Sequence, residues 1–78
     1  MITAAADEGA RLLGFEEAES VAAVLELTPA CFYKSMEAEK QLGLWQDVYH
    51  LQYRSVDLYI KLQVSPRGLG VVVQFKKR

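Results

Sequence analysis

Seventy-eight residues, 51% of them apolar and none in a run near the ~20 that a bilayer span needs, suit one small globular domain over residues 1–78 with no membrane segment. The net charge of −1 hides a division: residues 1–39 carry eight acids and two bases, and residues 40–78 carry seven bases and two acids. The basic half suits a polyanion such as a nucleic acid, while one cysteine (Cys31) and one histidine (His50) leave neither an internal disulfide nor a structural zinc set.

The opening M-I-T-A-A-A-D-E lacks the basic start of a secretory signal, so a reducing cytoplasm is expected. Thr3 is placed to cap a first helix over about residues 4–13, with Asp7 and Glu8 in the dipole-favoured early turns. Its apolar stripe reads as Ala5, Ala6, Leu12 and Leu13. Gly9 costs such a helix about 1 kcal/mol relative to alanine, and Gly14 suits the left-handed position that ends it. A second helix is expected over about 16–26, burying Ala18, Val21, Ala22 and Leu25 at i, i+3, i+4, i+7. Thr28-Pro29 stops it and allows one further helical turn up to Cys31, which reads as a small buried apolar residue.

After Cys31 the period changes from 3.6 to 2. Strands are expected at about 32–36, 44–54, 56–64 and 69–76, with a charged connector from Glu37 to Gly43 and a Ser65-Pro66-Arg67-Gly68 turn. Val56, Leu58, Ile60, Leu62 and Val64 form the cleanest alternation and face the core, which turns Asp57, Tyr59, Lys61 and Gln63 outward. In the second strand Trp45, Tyr49, Leu51 and Tyr53 share the core side, interrupted by Asp47. In the last, Leu69, Val71, Val73 and Phe75 read as core and Val72, Gln74 and Lys76 as the opposite face. Short loops imply antiparallel neighbours, so the expected fold is α+β: an antiparallel sheet of about four strands with two N-terminal helices on one face.

The free face then collects Lys34, Gln46, His50, Tyr59, Lys61 and Lys76 from separate segments. Converging lysines repel unless an anion joins them. RNA cleavage by its own 2′-hydroxyl needs positive charge on the phosphorane and groups that take and give a proton. Lysines supply the charge without a metal or cofactor, and Gln46 can orient a phosphate or a base edge. By residue type either His50 or Tyr59 serves as the acid or base. The catalytic candidates are Lys34, Gln46, Tyr59 and Lys76, and the RNA-binding candidates are His50, Lys61 and Lys77.

F-Y-K-S-M at Phe32–Met36, W-Q-D-V-Y at Trp45–Tyr49, V-D-L-Y-I-K at Val56–Lys61 and V-V-V-Q-F-K at Val71–Lys76 resemble the motility quorum-sensing regulator (MqsR) family of type II toxins. A weaker likeness runs through L-G-F at Leu13–Phe15 and V-A-A-V-L-E-L at Val21–Leu27. The resemblance implies a RelE/YoeB-like fold and a metal-independent, ribosome-independent mRNA interferase. It also implies a cognate antitoxin with a zinc-binding N-terminal domain and a DNA-binding C-terminal domain. The family's functional lysine, glutamine, tyrosine and C-terminal lysine fall on Lys34, Gln46, Tyr59 and Lys76. Departures are His50 where the family has arginine, the longer Ser65–Gly68 turn, and a start at Met1 inside the family's second segment. The rival expectation is a short relative that binds antitoxin or RNA without cutting.

Overall fold

The computed structural model describes residues 1–38, 43–64 and 70–78. In chain order these form α1 (Ala4–Leu12), α2 (Glu17–Leu25), a 3-10 turn (Pro29–Cys31), and β1 (Phe32–Glu37), β2 (Trp45–Tyr53), β3 (Val56–Val64) and β4 (Gly70–Lys77). The four strands make one antiparallel sheet in sequence order, with the helices against one face, so the α+β reading holds. The turn expected at Ser65–Gly68, the core position of Leu69 and most of the 37–43 connector lie outside the described residues. No described helix is long and apolar enough to cross a membrane.

The core joins Ala6, Ala10, Phe15, Ala23, Tyr53, Leu58, Ile60 and Phe75. Phe15 sits edge-to-face with Tyr53 and with Phe75, each at 5.9 Å between centroids, so one aromatic clamps the helix pair to β2 and β4. Thr3 caps α1 as expected, its Oγ1 accepting from the Ala6 N–H at 3.2 Å. Its hydroxyl also lies 3.3 Å from the Val73 carbonyl, to which it donates, and its own N–H donates to the Val72 carbonyl at 2.9 Å. The chain start is thereby tied to β4.

Both helices are rotated from the expected orientation. In α1 the buried residues are Ala6 and Ala10, whereas Ala5 is exposed and Leu12 is 83% exposed. The reason is closeness: a Cβ at Gly9 would lie 2.1 Å from the Phe75 carbonyl oxygen, so α1 meets β4 backbone to backbone along its small residues. In α2 Ser20 and Ala23 are buried, while Ala18, Val21 and Leu25 face outward. Ser20 tolerates burial because its hydroxyl donates to the Glu16 carbonyl at 3.3 Å. Cys31 is half-buried rather than buried, and Trp45, expected on the core side, is exposed at the end of β2.

One strand register also differs. Val71 pairs with Gln63 and Val72 with Leu62, because a bulge interrupts the β3–β4 ladder between Lys61 and Leu62. One extra residue reverses side-chain parity beyond it, so Val72 packs on the core and Val71 takes the opposite face. Asp47, the break on the apolar side of β2, is accommodated by Ser35, whose hydroxyl donates to its Oδ1 at 2.5 Å.

Candidate active site

Cross-strand partners share a face, and the pairing defines three rows on the side of the sheet away from the helices. The first runs His50–Tyr59–Lys76, the second Lys34–Val48–Lys61–Gln74, and the third Met36–Gln46–Gln63–Val71. Lys34, Gln46, Tyr59 and Lys76 therefore do lie on one face, one from each strand, together with His50 and Lys61. Lys77 does not join them: it pairs with Leu58, whose side chain is in the core, so its position belongs to the helix side.

The rows hold their residues by different physical means. Val48, fully buried, gives the face an apolar floor between its cross-strand neighbours Lys34 and Lys61. Lysine stems cover such a floor while keeping the ammonium groups in water. The Tyr59 ring is bracketed by two cations, with Lys76 Nζ 4.9 Å and Lys61 Nζ 5.9 Å from its centroid. Gln46 Nε2 donates to Gln63 Oε1 at 2.9 Å, which sets the amide across β2 and β3. Sequence alternation had put Gln63 on this face without giving it a task.

Tyr33 was missed. A bulge between Phe32 and Lys34 leaves it outside the β1–β2 ladder and carries its ring onto His50, with centroids 4.3 Å apart and planes 21° apart. Strict alternation would have sent it to the opposite face from Lys34, and nothing in the local sequence marks the bulge. His50 has its pKa held below the usual imidazole value, first by desolvation and then by the positive charges of Arg78 and Lys34. That shift favours the neutral imidazole, which can accept a proton.

Among the described residues, neither Lys34, Lys61 nor Lys76 has an acid within salt-bridge distance; the ion pairs found are Arg11–Asp7 and Arg54–Glu19. Asp7, Glu8, Glu16, Glu17, Glu19 and Glu26 sit on the helices or at their ends, across the sheet from these lysines. Among the described residues the helix side thus carries most of the acids, with Arg54 and Lys77 beside them, while the strand face presents Lys34, Lys61 and Lys76 with Asp57 as its acid. That arrangement attracts a polyanion to the strand face.

No curated individual protein matches the chain. Residues 1–77 match the family described as "Motility quorum-sensing regulator, toxin of MqsA", and the chain belongs to that family.

Proposed function

From membership of this toxin family, and with an antitoxin as its partner, we propose that the chain is a cytoplasmic endoribonuclease that cleaves mRNA without a metal. The observation carrying this reading is the Tyr59–Lys76 pair: a cross-strand tyrosine and lysine, 4.9 Å from ammonium to ring centroid, beside further lysines with no described acid to neutralise them.

In the proposed reaction the ribose 2′-oxygen loses its proton and attacks the adjacent phosphorus. The P–O5′ bond then breaks, and the leaving 5′-oxygen takes up a proton. The products are a 2′,3′-cyclic phosphate and a free 5′-hydroxyl. Lys34 and Lys76 stabilise the extra charge of the phosphorane, Tyr59 transfers a proton and Gln46 positions the RNA. His50, in the row of Tyr59 and with its neutral form favoured, is the second group able to move a proton. Lys61 adds charge for the RNA backbone. The antitoxin expected from the resemblance, zinc-binding at its N-terminus and DNA-binding at its C-terminus, would silence this activity.

The test is purified protein with a GC-containing single-stranded mRNA in EDTA, reading the chemistry of the new ends. Cyclic phosphate ends that vanish when a 2′-deoxyribose is placed at the cut support the reading. Salt-dependent RNA binding with no cut product at any protein concentration would replace it with the non-catalytic binding module.

A further inference from the structure

We propose that Tyr33, stacked on His50, is a platform on which the unpaired nucleobase next to the scissile phosphate stacks. The inference rests on the RNA-cleaving reading above and adds a recognition subsite to it.

Three observations carry it. Phe32 and Lys34 keep their partners Tyr49 and Val48 while Tyr33 is left out of the ladder, so the bulge serves to present one ring. The two neighbouring aromatics go separate ways: Phe32 meets Tyr49 edge-on at 5.7 Å and 77°, whereas Tyr33 lies nearly flat on His50. Tyr33 also remains 56% exposed, so it is accessible to a ligand from solvent.

The surroundings identify the ligand. Tyr33, His50 and Tyr59 form a series with centroid steps of 4.3 and 6.1 Å. Lys34 Nζ lies 5.5 Å from the Tyr33 ring and Lys76 Nζ 4.9 Å from the Tyr59 ring. Aromatic faces interleaved with cations are what a single strand requires, since bases stack on the rings while the phosphates meet the ammonium groups. A base on Tyr33 then belongs to the nucleotide adjoining a phosphate held between Tyr59 and Lys76. Stacking accepts any base, so this subsite sets where the strand lies rather than which base it carries.

The experiment uses the full chain and a short single-stranded RNA with 2′-O-methyl riboses, which cannot be cut, carrying 2-aminopurine at successive positions. In the wild type one position is quenched on binding. Tyr33→Phe preserves that quenching. Tyr33→Ala abolishes it and weakens binding about 5- to 150-fold, the range for losing one base–aromatic stack. Its salt dependence stays unchanged, while that of Lys34→Ala becomes shallower, since only the lysine loses a phosphate contact. Tyr33→Leu, which keeps apolar bulk without an aromatic face, separates stacking from folding and loses the quenching likewise.

Wild-type affinity and quenching in both Tyr33→Ala and Tyr33→Leu would overturn the platform even if the natural RNA is still cleaved. Loss of quenching in those variants, with no cleavage of unmodified RNA by the wild type, would leave the platform standing and remove the nuclease reading. No binding of the oligonucleotide by the wild type would overturn both.

Discussion

Replacing Gly9 by alanine tests the close seat of α1 on the sheet. In a free helix the change would stabilise by about 1 kcal/mol. Here the added Cβ would stand 2.1 Å from the Phe75 carbonyl oxygen and 3.3 Å from its carbon, both rigid backbone atoms. Restoring a contact of about 3.5 Å requires α1 to withdraw by about 1.4 Å, and a gap of about 1 Å already forfeits about half of the dispersion attraction between facing atoms. The fully buried Ala6 and Ala10 lie on the retreating helix. Overpacking costs about 1–3 kcal/mol, and a backbone collision falls at the upper end, so after the propensity gain the net loss is about 2 kcal/mol. For a domain of this size that lowers Tm by about 8–16 °C. Circular dichroism melts and urea titrations read it, with an unchanged urea slope expected. Gly14→Ala is the control: its φ is +82° with no atom within 4 Å of a Cβ, so it loses only about 1–2 kcal/mol from left-handed strain. Gly9→Ala melting at or above the wild type would refute the close packing of α1 on β4.

Tyr59→Phe keeps the ring between Lys76 and Lys61 but removes the hydroxyl, so cleavage falls about 10²- to 10⁴-fold while affinity for uncleavable RNA holds; cleavage and binding falling together would make Tyr59 a binding residue only. Gln63→Leu removes the acceptor of the Gln46 amide, and the loss of one such hydrogen bond, about 1 kcal/mol, lowers kcat/KM about fivefold without altering the pH profile; an unchanged kcat/KM would show that Gln46 needs no support from β3. An NMR titration is expected to place the His50 pKa below the ordinary imidazole value, and Lys34→Ala to raise it by removing a nearby positive charge. Because the unfolded chain takes up this proton first as pH falls, the stability of the native state decreases as pH drops from 6.5 through the folded pKa of His50. A His50 pKa that does not move in Lys34→Ala would remove that electrostatic contact.

The site was legible where burial enforces period 2. Val56, Leu58, Ile60 and Leu62 cannot all face water, so Tyr59, Lys61 and Gln63 had to face away from the core, while Val64, expected to be buried with them, is exposed at the end of β3. Their partners Gln46, His50 and Lys76 then followed from antiparallel pairing. Legibility failed at the bulges, because one uncounted residue changes parity without changing composition: Tyr33 reached the cationic face, and Val71 and Val72 exchanged sides. It also failed on the helices. A nine-residue helix with three alanines, two valines and a leucine offers overlapping apolar stripes, and the one selected in α2 contains Ser20 and Ala23 rather than Val21 and Leu25.

By itself, then, the sequence determined the order of elements, the α+β class and the face carrying Lys34, Gln46, Tyr59 and Lys76, since these follow from local periodicity, capping and short connections. Tertiary structure alone decided how closely α1 lies on β4 through Gly9, that Gln63 holds Gln46, and that Tyr33 lies flat on His50. Each of these depends on the distance between segments far apart in the chain, which side-chain packing and strand bulges set and no local pattern encodes.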